Sequence, residues 1–168
     1  LYIFKKDFLL KRAKYINNRI NKYEKANRLQ TYPVYKSKIP LNIIENENIK
    51  YLNGEYYLSK NLIIEKDYYF PKNQKLNINE GVKIFFKEDA TIFSEGSIFF
   101  KGTKKKPIII YSDYKNGSFV LSNSNYDFKN VIIQNLSFPK NINKILYGGV
   151  NIINSNLKML NVEIKNSN

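Results

Sequence analysis

The sequence contains no cysteine and no histidine. Without cysteine the chain can form no disulfide and offers neither a thiol nucleophile nor a thiolate metal ligand. Without histidine it lacks a Ser-His-Asp triad, an imidazole general base and the usual zinc ligands. No apolar run approaches the roughly 20 residues that span a bilayer, so we expect no transmembrane segment. We predict no catalytic residue, no metal site and no cofactor. These absences weigh against enzymatic activity for the chain as given.

Positive charge is concentrated at the amino-terminal end. Eleven of the 28 lysine and arginine residues lie in residues 1–38 with only two acidic residues, so this segment carries +9 of the net charge of +14. Its apolar residues follow a 4-3-4-3 spacing, which aligns them on one face of a helix. They are Leu9, Ala13, Ile16, Ile20 and Tyr23. We predict a basic amphipathic helix over about residues 5–27, followed by a linker that begins near Tyr32-Pro33.

The predicted helix admits two interpretations. A basic amphipathic helix can bind a membrane surface or an acidic partner. Its apolar face can instead pack against protein. We favour this second interpretation because burial of the apolar face contributes more free energy than the charges do, since salt screens charge interactions within about 8 Å. Frequent Lys, Asn, Ile and Tyr are typical of a genome rich in A and T, so part of the positive charge reflects codon usage. Binding to nucleic acid is therefore not expected.

From Leu52 onward the sequence changes to short β-prone runs separated by Gly, Asn and Pro, the pattern of strands of three to five residues. Alternation within these runs places one set of apolar side chains on a common face. The set comprises Leu76, Ile78, Val82, Ile84, Phe86, Ala90, Ile92, Ile98 and Phe100. We predict that this face forms the core of a second domain, residues 39–168, with glycines such as Gly81 and Gly102 at its corners.

The second half of the chain contains an internal repeat. Residues 117–135 align with residues 148–166 at an offset of 31, with eight identities in 19 positions. The apolar positions repeat as well, so that Phe128 aligns with Met159 and Val131 with Val162. Such self-similarity is typical of stacked units, each of which cannot bury a core alone. Equivalent Asn side chains in stacked coils can hydrogen-bond to one another as a ladder, and residues 136–147 are predicted to form a loop.

Residues 62–112 resemble the first coils of right-handed parallel β-helix proteins of the pectate lyase-like superfamily. The match is carried by residues 62–64, 76–86, 90–92, 102–103 and 106–110. Within them, residues 81–86 read Gly-Val-x-Ile-x-Phe and residues 102–108 read Gly-Thr-x-x-x-Pro-Ile. A looser similarity, of general arrangement, is to the carboxyl-terminal regions of bacterial surface proteins related to spore-coat CotH.

The resemblance implies a mainly β fold, an incomplete right-handed parallel β-helix with an N-terminal α-helical extension. Proteins of this superfamily include both enzymes and noncatalytic modules, so the shared fold does not decide function. Because the second domain has no arginine and its carboxylates are scattered, we expect a noncatalytic structural or binding module of a bacterial envelope or secreted protein, with a carbohydrate or a protein as partner. The alternative is a fragment of a polysaccharide lyase or hydrolase whose active site lies in later coils outside this sequence. The sequence begins at Leu1 rather than Met, and its last repeat has no cap. We therefore expect a piece of a longer chain whose open edge associates or aggregates.

Three aromatic residues alternate away from the predicted core, namely Phe85, Phe93 and Phe99. They are the candidate binding surface, because an exposed aromatic stripe can stack on sugar rings, although covering by protein is the favoured alternative. Three weaker candidates come from charge. The neighbours Glu88 and Asp89 are expected in a turn, Asp113 and Asp127 could meet across coils, and residues 104–106 form a lysine run expected in a solvated loop.

Overall fold

The computed structural model describes residues 41–140 and 146–167, and this part of the chain is mainly β with parallel sheets. The predicted basic helix and the predicted domain boundary between residues 38 and 39 lie outside the described residues. Among the residues that are described, no helix is long and apolar enough to cross a membrane. One short 3-10 helix, Ile43–Glu45, is present near the beginning of this part, and Asn42 caps it by accepting a hydrogen bond from the backbone N–H of Ile44.

The described chain forms fourteen strands. The first seven are β1 (Leu41–Asn42), β2 (Ile49–Leu52), β3 (Glu55–Leu58), β4 (Leu62–Ile64), β5 (Tyr68–Phe70), β6 (Lys75–Asn79) and β7 (Lys83–Phe86). The remaining seven are β8 (Thr91–Ser94), β9 (Ser97–Lys101), β10 (Ile108–Ser112), β11 (Ser118–Ser122), β12 (Asn125–Gln134), β13 (Val150–Ile153) and β14 (Asn156–Lys165).

These strands belong to two sheets, and the chain visits the sheets in a regular order. The smaller sheet has five strands in the order β1-β5-β8-β11-β13, and every neighbouring pair is parallel. The larger sheet contains the other nine strands. Between visits to the smaller sheet, the chain contributes one extended segment to each of two rows of parallel strands in the larger sheet. One row contains β3, β6 and β9 and the other contains β4, β7 and β10, while the long strand β12 joins both rows.

The internal repeat has the register that the sequence predicts. Strand β12 pairs with β14 in parallel, with Phe128 opposite Met159 and Val131 opposite Val162, and β11 pairs with β13 in the same way. The offset of 31 residues is therefore confirmed as the register in which equivalent strands pair in parallel. The predicted Asn ladder is confirmed too, because Asn161 Nδ2 donates to Asn130 Oδ1 at 3.0 Å.

The core lies between the two sheets, and it contains every apolar residue of the predicted common face. Four phenylalanine rings connect successive turns of the chain. The rings of Phe100 and Phe128 stack with their centroids 4.2 Å apart, and Phe119 meets Phe100 and Phe86 edge to face at 6.2 and 5.2 Å. Such aromatic pairs stabilise the folded state by more than the burial of their apolar area alone.

The stacked turns are held close together at their corners. A Cβ on Gly102 would lie 2.3 Å from the backbone oxygen of Asn130, so this corner accepts no larger residue without movement. Several corners are occupied by asparagine with a positive φ, among them Asn123, Asn130, Asn154 and Asn161. Asparagine tolerates the left-handed conformation better than most residues, which explains why it recurs where strands bend.

One part of the fold departs from the predicted stack of parallel strands. Strands β2 and β3 form an antiparallel hairpin, with Ile49 opposite Leu58 and Leu52 opposite Glu55. Its two turn residues, Asn53 and Gly54, have φ values of 49° and 81°. The Asn-Gly pair is the preferred sequence of a two-residue hairpin turn because both positions need a positive φ. The prediction of parallel strands from Leu52 onward is therefore wrong for this hairpin.

Candidate functional site

The structure buries one of the three predicted surface aromatics. Phe93 lies on β8 and is 1% exposed, in a small apolar cluster with Val120, Tyr69, Leu146 and Ile153. The burial of Phe93 agrees with the favoured expectation that protein covers the candidate aromatics, and it removes Phe93 from a candidate ligand-binding surface. Alternation correctly places Phe93 on the side of β8 that faces away from the main core. That side is covered too, so all four residues of β8 are buried.

The other two aromatics, Phe85 and Phe99, are half-buried. Phe85 is on β7, with its ring centroid 5.0 Å from that of Tyr111. Phe99 is on β9, where the ammonium of Lys75 lies 5.1 Å from its ring centroid. The strands β7, β8 and β9 do not pair with one another. The three aromatics therefore do not form one stripe.

A shallow cleft of about 290 Å³, largely open to solvent, lies between two equivalent corners of the chain. We call it the amide cleft, and it is lined by Asn123, Ser124, Asn125, Asn154, Ser155 and Asn156. These residues connect β11 to β12 and β13 to β14, so the 31-residue repeat places the same Asn-Ser-Asn sequence on both sides.

Hydrogen bonds hold the amide cleft in shape. Asn156 Nδ2 donates to Asn125 Oδ1 at 3.0 Å, and the backbone N–H of Asn156 donates to the carbonyl of Ser124 at 3.0 Å. The hydroxyl of Ser155 donates to the carbonyl of Ile153 at 2.7 Å. The two corners are thus tied together by both backbone and side-chain contacts.

Several polar atoms of the cleft are left over for a ligand. Asn154 is exposed, and its amide makes no hydrogen bond to any residue in the described part of the chain. A primary amide carries two N–H donors and an oxygen acceptor. The pairing of Asn125 with Asn156 uses one acceptor and one donor, so the Asn125 amide keeps its donors and Asn156 keeps its acceptor. The cleft therefore offers neutral donors and acceptors side by side.

The outward side of β9, β12 and β14 carries further side chains near the cleft, beginning two residues after Asn125 and Asn156. Phe99, Asp127 and Lys158 lie next to one another across these strands. Asp127 follows Asn125 by two residues on the same face, about 7 Å away along the strand. We call Phe99, Asn125, Asp127, Asn156 and Lys158 the outer face. It combines an aromatic ring, two amides and one charge of each sign.

A carboxylate is buried behind the cleft. Glu95 is 7% exposed, and the hydroxyl of Tyr69 donates to its Oε2 at 2.6 Å. Asn123 Nδ2 makes a long contact of 3.5 Å with the other carboxylate oxygen. Buried carboxylates are costly unless hydrogen bonds satisfy them, and these two contacts do so. Glu95 therefore supports the corner from inside, and it is not presented to a ligand.

A second charged group borders the outer face. Glu55 accepts hydrogen bonds from Lys75 Nζ at 2.6 Å and from Asn77 Nδ2 at 2.7 Å. These two donors, Lys75 first, lower the pKa of the Glu55 carboxyl below its usual value. The same Lys75 ammonium lies over Phe99. Glu55 thereby holds the cation that covers one side of the Phe99 ring.

The other candidates drawn from charge are not brought together. Glu88 and Asp89 lie in a turn, as expected, and Lys140 Nζ is 2.8 Å from Asp89 Oδ1. Asp113 follows β10, which pairs with the second half of β12, so it does not stack on Asp127. Within the described ranges there is no group of three acidic side chains that could hold a metal ion.

The lysine run at residues 104–106 lies in an exposed loop, as predicted. Lys106 Nζ is 3.3 Å from Glu80 Oε1. An exposed pair of this kind contributes little to stability. The run is a solvated surface and not part of the outer face.

Comparison of the chain with family models, with curated proteins and with solved structures finds no match.

The sequence contains the signal for the amide cleft, namely Asn-Ser-Asn repeated at an offset of 31 residues. From the sequence alone, the recurrent asparagines predict corners whose side chains stabilise the stack. Their concave arrangement depends on the spacing between two turns of the chain, and a linear pattern does not reveal it.

Proposed function

We propose that the parallel strands form a right-handed parallel β-helix and that this module binds a carbohydrate without cleaving it. The architecture is supported by strands that return in parallel register once per turn and by the 31-residue offset between β12 and β14. The resemblance of residues 62–112 to β-helix proteins supports the same fold. In keeping with that resemblance, we place the module in a bacterial envelope or secreted protein.

The amide cleft carries the proposal of a sugar ligand. Sugar hydroxyls both donate and accept hydrogen bonds, and the Asn125, Asn154 and Asn156 amides offer both kinds of partner without net charge. Phe99 lies on the adjoining outer face, where its half-buried ring offers apolar contact to a sugar ring. A neutral oligosaccharide that runs from the cleft across the outer face would use all of these groups.

Binding is favoured over cleavage by the carboxylates at this site. Glycoside hydrolysis generally uses two carboxyl groups that flank the scissile bond. Asp127 is the carboxylate of the outer face, and Glu95 is buried behind the cleft with Tyr69 as partner. A polysaccharide lyase or hydrolase with its active site elsewhere in a longer protein is the alternative that the experiment must distinguish.

Isothermal titration calorimetry with soluble neutral glucan, mannan and chitin oligosaccharides tests the proposal. We expect one of these to bind, and we expect Asn125→Ala or Phe99→Ala to weaken its binding by about tenfold, the loss of one hydrogen bond or stacking contact. Lys104→Ala, on the exposed loop far from the cleft, is the matched control. Thermal melting of each variant verifies that the fold is retained.

Three results would overturn the proposal. If the parent protein binds none of the oligosaccharides, or if Asn125→Ala and Phe99→Ala bind as the parent does, the cleft is a structural corner. If incubation releases new reducing ends from a bound oligosaccharide, the protein is an enzyme and the noncatalytic assignment is wrong.

A further inference from the structure

The row of the larger sheet that contains β4, β7 and β10 turns an apolar side to solvent. Along these strands and the second half of β12, buried inward residues alternate with outward residues that are partly or largely exposed. The pairing register places five apolar outward residues next to one another, and we call them the apolar strip. They are Ile63, Phe85, Ile109, Tyr111 and Ile132. Ile63 is 54% exposed, and a contiguous exposed apolar patch marks an interaction surface.

Lysines gather along the edge of the strip where the chain enters these strands. We call this edge the lysine corner, and all seven of its lysines are exposed. They are Lys60, Lys83, Lys101, Lys104, Lys105, Lys106 and Lys129. Backbone hydrogen bonds hold successive turns together here, from the N–H of Gly81 to the carbonyl of Lys106 at 3.0 Å and from the N–H of Gly102 to the carbonyl of Lys129 at 2.9 Å.

The lysine corner is not neutralised by the chain itself. Lys106 lies 3.3 Å from Glu80, and the other six lysines make no ion pair with any residue in the described ranges. Lys101 and Lys129 are direct neighbours across β9 and β12. Like charges at such positions destabilise a sheet. The stability of the fold therefore does not account for this concentration of positive charge.

Acidic residues lie at the opposite end of the same strands. Five of them follow the carboxyl ends of β4, β7 and β10, namely Glu65, Asp67, Glu88, Asp89 and Asp113. Codon usage can enrich lysine throughout a chain, but it does not separate the two signs of charge along a strand. One edge of the apolar strip therefore attracts anions, while the other edge repels them.

We propose that the apolar strip and the lysine corner together form a peripheral membrane-binding surface, and that its partner is a bilayer containing anionic lipid. The apolar side chains enter the boundary between head groups and acyl chains, and the lysines reach the negatively charged head groups. Tyr111 suits this boundary because its ring is apolar and its hydroxyl is polar. The acidic ends of the strands point the lysine corner towards the bilayer. The surface shares no residue with the amide cleft or the outer face, so this proposal does not rest on sugar binding.

A bilayer matches both parts of the surface, whereas a soluble polyanion matches one. Nucleic acid or an acidic polysaccharide would pair with the lysines but would leave Ile63, Ile109 and Ile132 without an apolar partner. Proteins that bind single-stranded nucleic acid also stack bases on aromatic side chains, and the lysine corner contains no aromatic residue.

Co-sedimentation of the full chain with lipid vesicles tests the charged part of the surface. The parent should bind vesicles of phosphatidylcholine mixed with phosphatidylglycerol, less tightly at high salt, and should bind phosphatidylcholine alone much more weakly. Lys83→Gln combined with Lys105→Gln should weaken binding about twentyfold, because each lysine near an anionic surface contributes about fivefold. Lys50→Gln combined with Lys72→Gln removes the same charge from exposed positions outside the lysine corner and should have a much smaller effect.

The apolar strip is tested in the same assay. Ile63→Ser should weaken binding to the mixed vesicles by about fivefold, since the exposed half of an isoleucine is withdrawn from the lipid. Leu52→Ser is the matched control, because Leu52 is 55% exposed and lies on the hairpin of β2 and β3. None of these substitutions changes residues 1–38, so the predicted basic helix contributes equally to every measurement. Thermal melting verifies that each variant is folded.

The proposal is overturned if the parent does not bind the mixed vesicles or binds both kinds of vesicle equally. It is also overturned if either test variant binds as its matched control does. Binding of duplex DNA or polygalacturonate that the lysine variant loses, together with vesicle binding that Ile63→Ser leaves unchanged, would identify the lysine corner as a site for a soluble polyanion instead of a membrane surface.

Discussion

Two neighbouring phenylalanines on β9 provide a direct test of which side of the strand faces the core. Phe100 is 1% exposed, its ring stacks on Phe128 and it meets Phe119 edge to face. Phe99 is half-buried on the other side and has the Lys75 ammonium near its ring. Replacing each residue by alanine removes the same atoms from two different environments.

The two substitutions should differ several-fold in cost. Truncation of a fully buried phenylalanine costs about 3–5 kcal/mol, which includes the cavity that it leaves, and the lost ring contacts place Phe100→Ala near the upper end. Phe99→Ala loses partial apolar burial and one cation contact, so we expect about 1 kcal/mol. Urea unfolding followed by far-ultraviolet circular dichroism measures both values.

Phe100→Leu keeps the measurement possible if Phe100→Ala does not fold, since it retains most of the apolar volume at a smaller cost. The reasoning is refuted if Phe99→Ala lowers the free energy of unfolding as much as the matching substitution at Phe100. Such a result would mean that the outward side of β9 is the better packed one.

Three further predictions concern the corners and a buried tyrosine. Gly102→Ala should lower the free energy of unfolding by about 2–3 kcal/mol in urea, because its Cβ would lie 2.3 Å from the Asn130 carbonyl oxygen. Asn130→Gly keeps the positive φ but removes the hydrogen bonds to Gly102 and Asn161, and it should cost about 2 kcal/mol in the same assay. Burial raises the pKa of Tyr126 to about 12 while its hydroxyl donates to the Ser94 carbonyl. Since the raised pKa favours the neutral form in the folded state, stability should fall as the pH rises from about 10 towards 12, and Tyr126→Phe should flatten that fall in alkaline unfolding curves.

The core and the stacking register could be predicted from the sequence because both depend on short-range patterns. Period-two alternation identifies Ile98 and Phe100 as inward residues whatever the tertiary structure is. Repeated identities such as Asn130 with Asn161 fix which residues of successive turns are neighbours. These two signals together determine most of the described fold.

The errors arose where solvent exposure or strand direction depends on distant parts of the chain. Alternation shows that Phe93 is on the side opposite the main core, but burial of that side depends on what else packs there. The hairpin at Asn53-Gly54 was missed although its turn signal is in the sequence, since the parallel pattern was extended too far towards the amino terminus. The amide cleft depends on the spacing between turns, which no single segment encodes.

Disulfide formation between engineered cysteines measures the parallel stacking most directly, because the chain contains no cysteine of its own. Asp127 and Lys158 are direct neighbours across β12 and β14, so the pair Asp127→Cys with Lys158→Cys should oxidise readily within one chain. The shifted pair Asp127→Cys with Asn156→Cys places the Cα atoms about 8 Å apart, beyond the limit of about 7 Å for a disulfide, and should stay reduced under the same conditions. Equal oxidation of both pairs, or faster oxidation of the shifted pair, would contradict the 31-residue parallel register on which the account is based.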